Sequence, residues 1–300
     1  MEKLNLGIDI GGTFIKYALM DNQYHIKEKW KIETIKYDTA DEFYDYICSN
    51  IKHIDDIDVI GVSAPGLVDE ESNVKSYAAP NVLVMYGTNI NNEITKRTNK
   101  KVASINDAKS AGLCEFKIGN ARNSKSSAFL IIGTGTGGCI CNENGVIYGK
   151  DAFAGEFHNI PFINDNIGKI DKMGDYASMT GLINIYNSKA KNNEEFQELQ
   201  YGYEVCKKYL DGDETAKESV DEWIRNIVVQ LMVITVFYNP EIICIGGGIS
   251  EEEWFIHEVK KQYKKICVEY LEADFITTKI DRCKYNNDAN ILGAIINASM

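Results

Sequence analysis

The sequence predicts an α/β protein built from two similar units, and three observations support this prediction. An apolar run from Leu6 to Ile10 leads into a Gly-Gly-Thr turn and a second apolar run, which is the pattern of a β-hairpin. The same arrangement returns at 127–141. After each hairpin, helical and strand patterns alternate, as they do in α/β folds. We therefore expect a weak internal duplication.

Composition and charge narrow the class of protein. The chain has 300 residues, 44% of them apolar and 25% charged, which suits two soluble globular domains of ordinary size. The net charge of −12 argues against a nucleic acid or a membrane surface as partner, because either would need a basic patch. Eight cysteines are scattered along a chain that shows no secretory signal. We expect reduced thiols in a cytoplasmic protein.

In the first unit, the apolar periodicity predicts the elements that follow the hairpin. Thr39 or Asp41 is suited to cap a helix, because short oxygen-bearing side chains accept from exposed N–H groups there. The predicted elements are a strand at 26–35, a helix from about 40, a strand at 59–62, a helix at 91–98, a strand at 102–105 and a helix at 108–116.

The second unit is expected to repeat this plan. Its predicted elements are strands at 127–132, 139–141 and 146–148, helices at 176–191 and 220–238, a strand at 241–245, a helix at 252–270, a strand at 275–280 and a helix at 289–298. The glycine-rich turn at 133–138 joins the first two of these strands. We expect the last helix to pack on the first unit.

The first hairpin has the composition of a phosphate site. Gly11 and Gly12 let backbone N–H groups approach an anion closely, because no Cβ stands in the way. Thr13 adds a hydroxyl group and Lys16 a positive charge, while Asp9 is suited to hold a hydrated divalent cation. The alternative is an ordinary hairpin turn, since short glycine motifs also occur without a ligand.

The second glycine-rich turn excludes two common nucleotide motifs. Gly133, Gly135 and Gly138 match the spacing of the dinucleotide-binding fingerprint, but that fingerprint needs a helix directly after the glycines. A strand pattern follows here instead. The sequence also contains no Gly-Lys-Ser/Thr, so a P-loop is excluded. With both motifs excluded, the sequence favours a phosphate site made of two hairpins.

Four ordered motifs together resemble those of the ROK family. They are Asp9-x-Gly11-Gly12-Thr13-x-x-Lys16, Asn106-Asp107, Gly133-Thr134-Gly135-x-Gly137-Gly138 and Ala154-Gly155-Glu156. That family contains sugar kinases and sugar-responsive repressors. The resemblance implies the actin-like ATPase (ribonuclease H-like) fold, with two α/β domains around a central cleft. Expected domain limits are 1–115 plus 289–300 for the small domain and 116–288 for the large one.

The resemblance also implies roles for individual residues. Asp107 matches the catalytic base of sugar phosphorylation, and Asn106 would bind the sugar beside it. Spacing alone would favour a helix N-cap for this pair, and it is the family resemblance that favours the catalytic role. The candidate ATP-binding residues are Asp9, Gly11, Gly12, Thr13, Lys16, Thr134, Gly135, Gly137, Gly246, Gly247 and Gly248. Asp9 would hold Mg²⁺ through water. The last three glycines resemble an adenosine-binding loop, with a tight strand–helix turn as the alternative.

Sugar recognition is where the chain departs from the family pattern. The family usually shows Glu-x-Gly-His, but Glu156-Phe157-His158-Asn159 stands here. The candidate sugar-binding residues are Gly66, Asn81, Asn106, Asp107, Glu156, His158, Asn159 and Asp175. Residues 163–173 contain none of the family's zinc-binding cysteines, so we expect no zinc site; Cys139 and Cys141 are expected in the core.

The leading hypothesis is an ATP- and Mg²⁺-dependent kinase acting on the 6-hydroxyl of a hexose or hexose derivative such as glucose, N-acetylmannosamine or a β-glucoside. Two alternatives are a sugar-sensing regulator and a catalytically impaired sugar-binding protein. Because only Met1 to Asn5 precede the first predicted strand and the net charge is acidic, we do not expect DNA binding. Family habit implies a homodimer.

Overall fold

The computed structural model describes residues 3–164, 168–191 and 197–300, and these form two five-stranded sheets with flanking helices. In the first half, the strands are β1 (Leu4–Ile10), β2 (Phe14–Met20), β3 (Ile26–Glu33), β4 (Ile57–Ala64) and β5 (Lys101–Asn106). The helices of this half are α1 (Ala40–Ser49), α2 (Ile90–Thr98) and α3 (Asp107–Lys117).

The remaining elements follow in chain order. The strands are β6 (Ser126–Ile132), β7 (Thr136–Asn142), β8 (Gly145–Val146), β9 (Pro161–Asn164), β10 (Lys169–Lys172), β11 (Ile242–Gly246) and β12 (Lys279–Arg282). The helices are α4 (Met173–Ala177), α5 (Met179–Ala190), α6 (Gly202–Leu210), α7 (Glu214–Tyr238), α8 (Glu253–Glu269) and α9 (Ala289–Ser299). Strands β9 and β10 form a separate two-stranded hairpin.

Both large sheets have the same strand order. The first runs β3-β2-β1-β4-β5 and the second β8-β7-β6-β11-β12. In each sheet a parallel group of three strands adjoins an antiparallel edge: β1, β4 and β5 are parallel, as are β6, β11 and β12, whereas β2 and β3 pair antiparallel, as do β7 and β8. The shared order supports the duplication expected from the two hairpins.

The chain forms two compact units. The first contains Met1–Asn123, Ile140–Ala154 and Lys284–Met300, and the second contains Ser124–Cys139 and Gly155–Cys283. The C-terminal helix α9 belongs to the first unit, which confirms the expectation for that helix. The functional domain limits given above, 1–115 plus 289–300 and 116–288, stay a prediction.

Two glycines allow α9 to lie directly on the first sheet, and a third allows it to lie close to α3. Gly7 and Gly61 face each other in the parallel register of β1 and β4. A Cβ on Gly61 would lie 2.1 Å from the carbonyl oxygen of Ala294, and one on Gly7 would lie 2.7 Å from the Ile291 side chain. On the other side of α9, a Cβ on Gly293 would lie 1.8 Å from a carbonyl oxygen of α3. The helix therefore contacts bare backbone of the sheet at Gly7 and Gly61, and α3 contacts bare backbone of the helix at Gly293.

Several predicted elements differ from the structure in their limits. The turn predicted at 133–138 is shorter, because Thr136 already pairs in β7. The last strand is found at 279–282 rather than 275–280, and Phe275 is 77% exposed. Helix α6 and the β9–β10 hairpin were not expected from the sequence. Of the two caps considered for α1, Thr39 and Asp41, the structure shows Thr39, whose side chain accepts from the N–H group of Glu42.

The cysteines behave as expected for thiols. All eight are thiols outside any disulfide bond, and seven of them are buried, including Cys139 and Cys141; Cys48 is half-buried. No helix in the described part of the chain combines the length and the apolar character that crossing a bilayer requires.

Replacing Gly61 by Ala tests the close approach of α9. Because the added methyl group would overlap the Ala294 carbonyl group, we expect G61A to lower the free energy of unfolding by at least about 2 kcal/mol. Urea unfolding followed by circular dichroism measures this. The control is G248A, whose Cβ would meet no atom within 4 Å and should change stability by less than about 0.5 kcal/mol. Equal stability of both variants would contradict the contact.

Candidate active site

A buried carboxylate lies at the centre of the first candidate site. Asp9 is 5% exposed and accepts from Lys16 Nζ at 3.2 Å, from Ser63 Oγ at 2.9 Å and from Asn290 Nδ2 at 3.4 Å. Lys16 and Ser63 are the residues paired with Asp9 on its two neighbouring strands. Side chains of paired residues lie on the same face of a sheet, so the strand register itself brings these donors to the carboxylate.

This donor set fits the expected Mg²⁺ interaction through water. Mg²⁺ prefers oxygen ligands, keeps several water molecules and is commonly bound by one or two carboxylates together with substrate phosphates. A carboxylate offers about four acceptor positions, and the structure shows three donors on Asp9, so one position suits a metal-bound water molecule. In the described ranges, no group of three His, Cys, Asp or Glu side chains is arranged to hold a metal ion.

The turn of the first hairpin is held from two directions. Gly11 donates its N–H to the Phe14 carbonyl group, and its own carbonyl oxygen accepts from Thr34 Oγ1 at 2.6 Å. Asn81 donates through Nδ2 to the Gly12 carbonyl oxygen at 3.1 Å. The structure therefore brings Asn81, predicted to bind the sugar, to the predicted phosphate turn. Thr13, at the end of this turn, is exposed.

Asn106 and Asp107 lie where β5 ends and α3 begins. The Asn106 side chain accepts from the Lys109 N–H group at 3.0 Å, so it is the N-cap of α3, as one sequence alternative proposed. Its amide nitrogen also donates to Asp107 Oδ1 at 2.9 Å and to the Gly66 carbonyl oxygen at 2.8 Å. The Ala108 N–H group donates to the same Asp107 oxygen at 2.7 Å. Two donors thus orient the Asp107 carboxylate.

The loop that contains Gly66 requires glycine. Gly66 has a φ of +83°, a conformation that residues with a Cβ rarely adopt. A Cβ there would also lie 3.1 Å from the Ser76 carbonyl oxygen. Ser76 Oγ in turn accepts from the Leu67 N–H group at 2.8 Å. The structure therefore brings Gly66, Asn106 and Asp107 together in the first unit.

In the second unit, two glycine-rich loops meet at the ends of β6 and β11. Gly247 has a φ of +91°, and a Cβ there would lie 1.9 Å from the Ile132 carbonyl oxygen. Only glycine permits this approach. Directly after Ile132, the Gly133 N–H group donates to the Gly135 carbonyl oxygen at 2.8 Å and closes the second predicted phosphate turn. Gly137 follows inside β7, and Gly246 is the last residue of β11.

These two loops line a cavity of about 750 Å³ that lies entirely within the second unit. Thr134 and Gly248 line one side of it, and α6 and the residues before it line another. The rings of Tyr201 and Tyr203 stack with centroids 5.6 Å apart. Other lining residues are Gln200, Lys207, Glu252 and Trp254. An apolar cavity with a few polar groups is typical of sites for small molecules.

The cavity contains one thiol, which is not a nucleophile at neutral pH. Burial raises the pKa of Cys206 to about 11, with the charge of Glu252 adding to the effect. Since the thiolate is the reactive form, Cys206 acts here as an apolar lining residue.

Two of the predicted sugar-binding residues of the second unit, His158 and Asp175, lie close together. His158 Nε2 lies 3.5 Å from Asp175 Oδ1. His158 stands in a short 3₁₀ turn at 157–159, and Asp175 lies in α4. Glu156 immediately precedes the turn, and its carbonyl oxygen accepts from the Asn159 N–H group at 3.0 Å. Glu156, His158 and Asn159 therefore occupy one turn, and the structure brings Asp175 to it.

Some residues that shape these sites were not identified from the sequence. Asn290, at the start of α9, contacts Asp9 although 281 positions separate them in the chain. The aromatic pair before and within α6 also lacks a local signature. For Asn290 the available signal would have been a polar side chain at the start of a largely apolar helix.

Comparison with known protein families matches residues 5–299 to the ROK family. The chain belongs to this family. One relative is a glucokinase of Halalkalibacterium halodurans, 27% identical over 97% of this chain and 94% of that protein. Another is the N-acetylgalactosamine kinase AgaK of Shewanella sp., 26% identical over 82% of each chain.

A solved structure supports the fold. A ROK family glucokinase from Streptomyces griseus, in complex with glucose and AMPPNP, matches with a TM-score of 0.78 at 23% identity, over 98% of each chain. The actin-like ATPase fold expected from the four motifs is thereby confirmed for this ROK protein.

Two substitutions at Asn106 separate its cap from its other contacts. Ser keeps an oxygen that can cap α3, whereas Ala does not, and both lose the donors to Asp107 and Gly66. We expect the free energy of unfolding of N106A to be about 1 kcal/mol lower than that of N106S. Chemical denaturation of the two variants measures the difference. Identical stabilities would show that the side-chain oxygen does not stabilise the helix.

Proposed function

We propose that this ROK protein is an ATP-dependent kinase that phosphorylates the 6-hydroxyl of a hexose or a hexose derivative. The observation that carries the proposal is the Asn106–Asp107 pair at the end of β5. One oxygen of the Asp107 carboxylate is oriented by two donors, and the residue is only partly exposed. A fixed carboxylate is suited to accept the proton of an attacking hydroxyl group.

In the proposed reaction, the sugar hydroxyl group attacks the γ-phosphorus of ATP and its proton passes to Asp107. The bond between the γ-phosphorus and the bridging oxygen breaks, and ADP leaves. Asn106 orients the base and holds the Gly66 loop next to it. Phosphoryl transfer depends mainly on such positioning and on charge stabilisation, because the chemistry itself asks little of the protein.

The nucleotide is proposed to bind through both glycine turns. Gly11, Gly12 and Thr13 of the first hairpin and Thr134, Gly135 and Gly137 of the second would hold the phosphates. The cavity beside Gly246, Gly247 and Gly248 would take the nucleoside, and its volume and aromatic lining support this assignment. Lys16 would contribute charge. Mg²⁺, held through water by Asp9, would neutralise charge that develops on the phosphates.

The sugar is proposed to contact two groups of residues. Gly66, Asn81, Asn106 and Asp107 form the first group. Glu156, His158, Asn159 and Asp175 form the second, and the pairing of His158 with Asp175 supports a built polar surface there. The relatives named above act on glucose and on N-acetylgalactosamine, so we keep both plain hexoses and acetamido sugars as candidate substrates.

We also propose that the protein is a cytoplasmic homodimer. Exposed apolar side chains on the outer face of α7 support an association: Val229, Val236 and Phe237 are 38%, 65% and 87% exposed. Apolar residues concentrated on one exposed helix face are typical of association surfaces.

A panel of sugars tests the proposed activity. Release of ADP from ATP and Mg²⁺ would be followed with glucose, mannose, fructose, N-acetylmannosamine, N-acetylgalactosamine and a β-glucoside. We expect one of these sugars to give the highest kcat/KM, since that ratio defines specificity. Sugar binding without turnover of any member would favour the regulator or the impaired binding protein. The absence of both binding and turnover would contradict the proposal.

Replacing Asp107 by Asn tests the base. We expect D107N to lower kcat by at least about 100-fold, because the amide cannot accept the hydroxyl proton, while calorimetry shows largely unchanged sugar binding. The control is D38N, which alters an exposed aspartate of the same unit and should leave kcat unchanged. A kcat for D107N close to that of the unchanged protein would remove Asp107 as the base.

A further inference from the structure

Two buried side chains of α7 donate hydrogen bonds outside their own helix. Trp223 Nε1 donates to the Ser178 carbonyl oxygen at 2.9 Å, and Gln230 Nε2 donates to the Phe157 carbonyl oxygen at 2.9 Å. Both side chains are 0% exposed. Seven residues separate them, so they lie two turns apart on the same face of the helix.

The two carbonyl groups belong to the segments that carry His158 and Asp175. Phe157 stands directly before His158 in the 3₁₀ turn, and Ser178 follows the last residue of α4, the helix that contains Asp175. One face of α7 therefore holds both halves of the pair. All of these residues lie in the second unit.

Neither carbonyl group needs the side-chain donor for its own hydrogen bonding. The Phe157 oxygen also accepts from the Ile160 N–H group at 3.2 Å, and the Ser178 oxygen also accepts from the Leu182 N–H group at 3.0 Å. Without Gln230 or Trp223, both oxygens would keep a backbone partner. The side-chain hydrogen bonds instead fix where the two segments lie.

The stability of the fold does not by itself explain a glutamine at position 230. Its Oε1 is buried and has no hydrogen-bond partner among the described residues. A buried polar atom without a partner destabilises the folded state, and an apolar side chain of similar shape would avoid this. The amide at this position is therefore better explained by the contact that its nitrogen makes.

The His158 ring is packed so closely that its position depends on the backbone around Gly174. A Cβ on Gly174 would lie 2.0 Å from His158 Nδ1 and 2.7 Å from Thr136 Oγ1. The ring thus packs against the bare backbone next to Asp175. A small displacement of either segment would change the distance between His158 and Asp175, because both residues are carried by these segments.

We propose that Gln230, supported by Trp223, is a positioning residue. It holds His158 and Asp175 at the distance from each other that sugar binding requires. The role in sugar binding rests on the function proposed above, whereas the role in holding the pair does not. Gln230 acts through the Phe157 carbonyl group and touches no substrate.

The test is Q230M, which keeps the length of the side chain and removes the donor. We expect the KM for the sugar to rise about three- to tenfold, the range that the loss of one hydrogen bond produces, with the KM for ATP unchanged. Thermal unfolding should show no loss of stability, since the variant also removes the unpaired oxygen. If Q230M does not fold, Q230N, which is too short to reach Phe157, takes its place.

The control is S219A, which removes another buried polar group of α7, a hydroxyl group that donates to the Thr215 carbonyl oxygen of the same helix. It should leave the KM for the sugar unchanged. The imidazole NMR signals provide a readout that does not need activity: the chain has four histidines, and H158N assigns the signal of His158. We expect Q230M to shift this signal and S219A to leave it in place.

Three outcomes would overturn the proposal: an unmoved His158 signal in Q230M, equal rises in KM for sugar and for ATP, or an equal effect of S219A. A shifted His158 signal in a protein that phosphorylates no sugar would support the positioning role and reject the proposed function. The two failures are therefore distinguishable.

Discussion

A buried charge needs partners, and Asp9 obtains them from three other elements of the first unit. Lys16 comes from β2, Ser63 from β4 and Asn290 from α9. An ionised carboxylate without these donors would be too costly to bury. The register of β1 with both neighbours and the place of α9 on the sheet are therefore linked to one side chain. The same constraint leaves this carboxylate fixed at the end of β1, beside the first glycine turn.

In the second unit, the corresponding constraint is steric. Gly247 lies against the Ile132 carbonyl group, and Gly174 lies against His158 and Thr136. At both positions a methyl group would occupy space that the neighbouring atoms already fill. Bare backbone thus sets the distance between the loops that line the cavity and between the two segments that carry the polar pair. Electrostatics fixes Asp9 in the first unit, whereas close packing fixes these loops and segments in the second.

Local chemistry was predictable from the sequence, and long-range contacts were not. Glycine turns between apolar runs predicted both hairpins, and residue types favoured at helix caps, at 39–41 and 106–107, indicated the regions where α1 and α3 begin. Such signals lie within a few residues of one another. The contact of Asn290 with Asp9 and that of Gln230 with Phe157 join residues 281 and 73 positions apart, so no local pattern contains them.

Some misplaced elements have a different cause. The aromatic and β-branched residues at 275–278 suggested a strand, but the ladder with β11 begins only at Lys279, and Phe275 is exposed. Hydrophobic composition predicts burial only on average, because much of any protein surface is apolar. The family pattern places a histidine where this chain has Asn159, with His158 one position earlier. The sequence alone does not say what this shift does to the side chain, because its direction depends on the 3₁₀ turn at 157–159.

The discontinuity of the first unit has a consequence for synthesis on the ribosome. Its sheet is covered by α9, which consists of residues 289–299 and contacts Gly7 and Gly61 directly. N-terminal domains commonly fold while the rest of the chain is still being made. Here the strands of the first sheet must wait for residues 289–299, which are translated after every residue of the second unit. The unit whose strands are translated before the other unit is therefore the one that is completed after it.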